Sequence, residues 1–279
     1  MSYKSIAVHL DTSKRAHARL EIALRLARDF EAELTGVFAI FMPVPQPMCV
    51  MAGSADYYAA HEETRARHAG AIERLFRAEA VRAEVPGRWV EAREHDEPSV
   101  SRYGRCADLV IAGQDDPSDP ESFIADHFIE DLVMESGRPV LLVPYAGEFP
   151  TIGTRVMLAW DGSREATRAV HDALPFLQRA RQVTVVTVNE LSTRSLASQI
   201  PGAEIALTIG RHDVKVEVNA IEGAHDASIG DVLLSRASNL GADLLVMGAY
   251  GHARWRELVL GGATRTLLKS STLPLLLSH

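Results

Sequence analysis

The chain repeats itself, and that duplication constrains its fold more than any other feature. Ile6-Ala7-Val8-His9-Leu10-Asp11 matches Val156-Met157-Leu158-Ala159-Trp160-Asp161 at an offset of 150. Each block is an apolar run closed by Asp, with one residue separating that Asp from a Ser (Ser13, Ser163). Ala107-Asp108-Leu109-Val110-Ile111-Ala112-Gly113 matches Ala242-Asp243-Leu244-Leu245-Val246-Met247-Gly248 at an offset of 135, and Arg138-Pro139-Val140-Leu141-Leu142-Val143 matches Leu273-Pro274-Leu275-Leu276-Leu277-Ser278 at the same offset. Two blocks sharing one offset enclose segments of equal length. A period about one domain long marks a duplicated domain, not a solenoid. Gly and Pro collect at 145–153 (YAGEFPTIG), which sets the expected domains at 1–147 and 152–279.

Within each half, short continuous apolar runs read as parallel strands buried on both faces. They fall at 5–10, 34–40, 88–93, 108–112 and 139–143, then at 155–160, 183–188, 214–221, 243–247 and 274–278. Amphipathic segments alternate with them, at 14–29, 55–83, 98–105 and 121–136, then at 164–177, 196–210, 227–240 and 264–270. This alternation implies right-handed crossovers. The expected architecture is α/β: two tandem doubly wound domains, each with a mostly parallel five-stranded sheet flanked by helices. In such sheets ligands sit beyond the carboxyl ends of the strands, where the strand order reverses.

The loop after the fourth strand of the C-terminal half runs from Gly248 through Gly251 to Gly261, Gly262, Ala263 and Thr264. Glycines let a backbone approach a ligand closely. Gly261 to Thr264 immediately precede a helix, whose free N–H groups favour an anion. Taken singly, these glycines also fit a turn with Thr264 as helix cap. The spacing Gly248-x2-Gly251-x9-Gly261, however, resembles the nucleotide-binding signature of the universal stress protein family, G-x2-G-x9-G followed by Ser or Thr. Asp161, closing the first strand, matches the acidic residue that the family places near the nucleoside. The resemblance covers the chain as two successive domains. It implies a five-stranded α/β fold, ATP or AMP as ligand, frequent dimerisation and a role in stress survival. In the family the final strands mediate pairing between domains, so an intramolecular pseudo-dimer is expected, and a homodimer is allowed. One departure stands out: Gly262 occupies the place of the family's Ser or Thr, with Thr264 two residues later. A backbone N–H survives that change but a hydroxyl is lost, which leaves phosphate cradling intact and puts magnesium coordination there in doubt.

Other candidates carry weaker signals. Asp161 equally suits a cap on the turn Asp161-Gly162-Ser163. Arg254, Arg256 and Arg265 offer charge to phosphates, while surface arginines are commonplace. His252 reads as a loop residue, and Trp160 and Trp255 as packing side chains. His225-Asp226 is a poor catalytic pair, because neighbours in sequence face different ways. There is no G-x4-G-K-[ST] and no G-x-G-x-x-G after a first strand, which argues against a P-loop ATPase or a dehydrogenase. No zinc-ligand spacing appears. The leading expectation is a regulatory binding module. A slow ATP hydrolase ranks lower, since no carboxylate or histidine is obviously placed to orient water. A nucleotide-free interaction scaffold is the third reading.

The N-terminal half departs from this pattern. Gly113 stands opposite Gly248, but Asp116 replaces Gly251, Asp126 replaces Gly261 and His127 replaces Gly262. From Asp115 to Glu135 there are eight carboxylates and no Lys or Arg. A carboxylate about 4 Å from a phosphate charge costs roughly 1 kcal/mol in water and several times that when partly buried. A degenerate N-terminal site and one nucleotide per chain are therefore expected. The net charge of −8 argues against nucleic acid as a partner. The absence of long apolar runs argues against a membrane and, with only Cys49 and Cys106, for a cytoplasmic protein. The Pro- and Met-rich stretch 42–58 is an insertion relative to the other half.

Overall fold

The computed structural model describes residues 2–40, 54–92, 99–119, 127–189, 202–222, 228–251 and 262–279. The chain forms two compact units, Tyr3–Ser136 and Gly137–His279.

The first unit runs β1 (Ser5–Leu10), α1 (Ala16–Phe30), β2 (Glu33–Phe38), α2 (Ser54–Arg82), β3 (Gly87–Glu91), α3 (Ser99–Gly104), β4 (Leu109–Gly113) and α4 (Phe128–Glu135). Its strands lie in the order β3-β2-β1-β4, all parallel, with Ser5 opposite Glu33, Ile6 opposite Leu109 and Leu34 opposite Gly87. Burial follows position in the sheet. Every residue of β4 is buried, whereas β3 at the edge is half-exposed. The stripe Ala16, Leu20, Ala23, Ala27 and Phe30 recurs every three or four residues and buries one face of α1. The helix ends at Glu31, whose left-handed φ of 53° turns its N–H back onto the last carbonyls.

The second unit runs β5 (Val140–Val143), β6 (Arg155–Ala159), α5 (Arg164–Leu177), β7 (Gln182–Asn189), α6 (Ala203–Gly210), β8 (Val216–Glu222), α7 (Ile229–Leu240), β9 (Leu244–Gly248), α8 (Gly262–Ser270) and β10 (Leu275–Ser278). The strand order is β5-β10-β9-β6-β7-β8. All neighbours are parallel except β5 and β10, which pair antiparallel with Leu142 opposite Leu275 and Leu141 opposite Leu276. Each sequence repeat thus supplies five strands, as expected, but the last strand of the first repeat is incorporated into the second compact unit. The packing gives the reason. Leu141, Leu142, Leu275, Leu276 and Leu277 are all at most 1% exposed, and burying each is worth about 1.5–3 kcal/mol relative to leaving it in water.

The repeated Ala-Asp-Leu block has a structural role in both units. Asp108, just before β4, accepts hydrogen bonds from the backbone N–H groups of Lys4 (2.8 Å) and Ser5 (3.0 Å) at the start of β1. Asp243, just before β9, likewise accepts from Gly153 (3.1 Å), Thr154 (3.1 Å) and Arg155 (2.8 Å) at the start of β6. Each carboxylate satisfies amides that precede the ladder and clamps two neighbouring parallel strands in register. The expected elements agree with these to within a few residues. The helices expected at 121–136 and 196–210 are seen from Phe128 and Ala203 onward, and most of 42–58 lies outside the described residues.

Candidate functional site

In the second unit the chain leaves β6 toward β7 and β8, then crosses back to β9 on the other side. The strand order therefore reverses between β6 and β9, and the loops after these strands border one crevice. The loop after β6 is the turn Asp161-Gly162-Ser163. Gly162 has φ +78°, a conformation that a side chain would strain. Asp161 Oδ1 accepts the N–H of Ser163 at 2.9 Å, and Ser163 Oγ accepts the N–H of Ala166 at 3.1 Å, capping α5. Asp161 thus does make the turn-capping contact, and its side chain stands exposed at the strand end.

Gly248 and Gly251 lie against the first turn of α5. A Cβ on Gly248 would sit 2.4 Å from Ala166 N and 2.5 Å from Glu165 C, and one on Gly251 would sit 2.9 Å from Glu165 Oε2 and 3.1 Å from Ser163 Oγ. Gly248 excludes a larger residue for this reason alone, because it meets backbone, whereas at Gly251 the Glu165 carboxylate could move aside. Glu165 is buried there, its Oε1 held by Arg164 Nη2 at 3.1 Å and Nε at 3.2 Å. Between the two glycines Tyr250 takes a left-handed φ of 59°. The Ala249 N–H donates to Ser278 O at 2.8 Å, and His279 Nδ1 lies 3.1 Å from Ala249 O, which ties the loop to the end of the chain.

Gly261 lies outside the described residues, as do His252, Arg254, Trp255, Arg256, His225 and Asp226. Gly262 opens α8 and is exposed, with nothing within 4 Å of where its Cβ would be. Ala263 is half-buried, and Thr264 is buried at 4% exposure. The first turn of α8 has no acidic residue, and Arg265 there is exposed. Its other side packs closely on α7: a Cβ on Gly230 would sit 2.7 Å from Thr266 Cβ and 3.1 Å from Ala263 O. The structure thus brings Asp161, Gly248 and Gly251 together around the start of α5. It adds Ser163 and Glu165, which sequence reasoning passed over as site neighbours. An acidic residue in a first helical turn is normally a dipole partner, so Glu165 gave little signal. Among the described residues, no cluster of three or more His, Cys, Asp or Glu is arranged to hold a metal, and no helix is long and apolar enough to cross a membrane.

An open, mostly parallel sheet with loops converging at its switch point places the second unit among doubly wound α/β proteins whose sites lie at strand ends. Residues 154–279, the second repeat, match the universal stress protein family. A universal stress protein of Synechocystis sp. is 28% identical over 178 residues, which cover 61% of this chain. The match spans only 57% of that relative's length. A universal stress protein from Archaeoglobus fulgidus DSM 4304 shares the fold with a TM-score of 0.64 at 14% identity, covering 98% of this chain and 95% of its own. A functionally unknown protein from Pseudomonas aeruginosa PAO1 does so with a TM-score of 0.60 at 13% identity, covering 99% of this chain and 92% of its own.

Proposed function

We propose that the C-terminal repeat, residues 152–279, binds an adenine nucleotide, ATP or AMP, in the crevice between β6 and β9, and that the chain acts in the cytoplasm as a stress-response binding module. The observation that carries this reading is the placement of Asp161 and the Gly248–Gly251 loop on either side of the switch point. Asp161 is exposed where a ribose hydroxyl can donate to it. The backbone of Gly248 and Gly251 borders the crevice toward the phosphates, and Gly261 is the third glycine of the signature. Gly262, Ala263 and Thr264 present the N-terminus of α8, where open space at Gly262 and the lack of first-turn acids suit an anion. Thr264 contributes its backbone N–H, because its side chain is buried. Nucleotide occupancy then biases partner choice or association, with β5 of the first repeat already occupying the edge of β10.

Isothermal titration of the full chain with ATP and with AMP tests this reading. One equivalent is expected, and Gly261→Asp should weaken it at least tenfold, a loss of ~1.4 kcal/mol. Absence of binding by the intact protein would leave the nucleotide-free scaffold as the function. Phosphate release during prolonged incubation with Mg-ATP would move the assignment to a slow hydrolase.

A further inference from the structure

The equivalent crevice of the first unit, between β1 and β4, is filled by the chain itself. Asp11 follows β1 as Asp161 follows β6, yet it is fully buried. Its Oδ2 lies 2.9 Å from Arg19 Nη2, and its Oδ1 accepts from the N–H (3.0 Å) and Oγ–H (2.6 Å) of Ser13. Arg19 is 2% exposed, and its Nε–H donates to His9 O at 2.8 Å. The guanidinium fills the space that Gly113 leaves open, since a Cβ there would fall 2.0 Å from Arg19 Nη1. At the offset of 150 the residue opposite Arg19 is Ala169, so the second unit has no such side chain. Its Gly248, opposite Gly113, lies closest to the first turn of α5. Nearby, Asp119, six residues past the end of β4 and buried, accepts the N–H of Lys14 just before α1 at 2.8 Å.

We propose that the N-terminal crevice is self-occupied, with Arg19 locked between Asp11 and the His9 carbonyl in the place a ligand would take. A ligand entering there would have to expel a buried cation and leave the buried Asp11 carboxylate without its counter-charge. Breaking one side of a buried ion pair is strongly destabilising. This inference rests on the nucleotide reading for its stoichiometry arm only.

The test uses the full-length protein. Arg19→Ala should lower Tm by roughly 5 °C or more. Guanidinium chloride at low millimolar concentration should recover part of that loss relative to sodium chloride of equal ionic strength, while leaving the wild type unchanged. Should Arg19→Ala fail to fold, Arg19→Lys replaces it: the ammonium keeps the charge but cannot bridge Asp11 and His9 O in the same plane, so its Tm should fall below that of the wild type. Lack of rescue in Arg19→Ala, or an Arg19→Lys variant that melts with the wild type, overturns the lock. Calorimetric titration with ATP should saturate at one equivalent in the wild type. Amide exchange should slow at 161–166 and 244–251 and stay unaltered at 8–19 and 109–119. A second equivalent, or protection at 8–19, also overturns the proposal. No binding of any equivalent sinks the nucleotide reading instead, and the rescue experiment then decides the lock alone.

Discussion

Asp243 receives the backbone N–H of Arg155 at 2.8 Å, so the residue just before β9 pins the first residue of β6. The same carboxylate accepts from Gly153 and Thr154, and Asp108 repeats the arrangement with Lys4 and Ser5. The clamp explains why Ala-Asp-Leu is duplicated in the sequence while standing at the opposite end of the strands from any ligand.

Asp243→Ala should therefore destabilise the second unit without touching its crevice. Losing a charged acceptor for three amides costs about 1.5–3 kcal/mol. Urea unfolding should show a lower midpoint, with nucleotide affinity unchanged at temperatures where the variant is folded.

Gly248→Ala and Gly262→Ala separate packing from ligand contact. At Gly248 the new Cβ would meet Ala166 N at 2.4 Å, so α5 must shift, and a loss of roughly 1–3 kcal/mol is expected. At Gly262 the space is open, and stability should stay within about 0.5 kcal/mol. A fall in nucleotide affinity at Gly262→Ala would then report contact with the ligand. Comparable melting curves for the two variants would contradict the packing described.

Ser163→Ala removes the cap on α5 and should cost about 1 kcal/mol. The start of α1 provides a contrast, because Ser13 spends its hydroxyl on Asp11 and no side chain caps that helix. Thermal denaturation of the two alanine variants can compare the roles: Ser163→Ala frays α5, whereas Ser13→Ala weakens the buried Asp11 cluster.

Acid should destabilise the first unit through His9. Burial, with Arg19 adding to it against the opposing pull of Asp11, lowers its pKa from 6.5 to about 4. The imidazole is fully buried, with Nε2 2.9 Å from Ala39 O and the ring 4.8 Å from that of Phe128. Between pH 6.5 and about 4 the unfolded chain binds the proton and the folded one does not. Stability is thus unaffected above that window and falls as pH drops through it, by on the order of 3 kcal/mol. Asp11 has the opposite origin but the same direction. Burial opposes its ionisation, yet Arg19, His9 and the Ser13 hydrogen bonds outweigh that and hold its pKa below 3.8. Its contribution is present above 3.8 and disappears as pH falls through the lower folded value. Urea midpoints measured from pH 7 to 4 check this, and His9→Gln should flatten the profile.

The amino-acid sequence by itself determined the duplication, the strand–helix alternation and the place to look for a site. Those follow from apolar periodicity and from the positions of Gly, Asp and Pro, which act over a few residues. Only the tertiary structure decided what the matched residues do. Asp11 and Asp161 are indistinguishable in their blocks, yet one is fully buried and the other exposed. The difference comes from Arg19, eight positions along the chain and on the apolar stripe of α1, where a charge between Ala16 and Ala23 was the available clue. Its partners His9, Asp11 and Gly113 converge only when β1, α1 and β4 pack. In the same way, β5 reads as the end of the first repeat but joins β10, because pairing between strands 135 residues apart is settled by burial and not by local pattern.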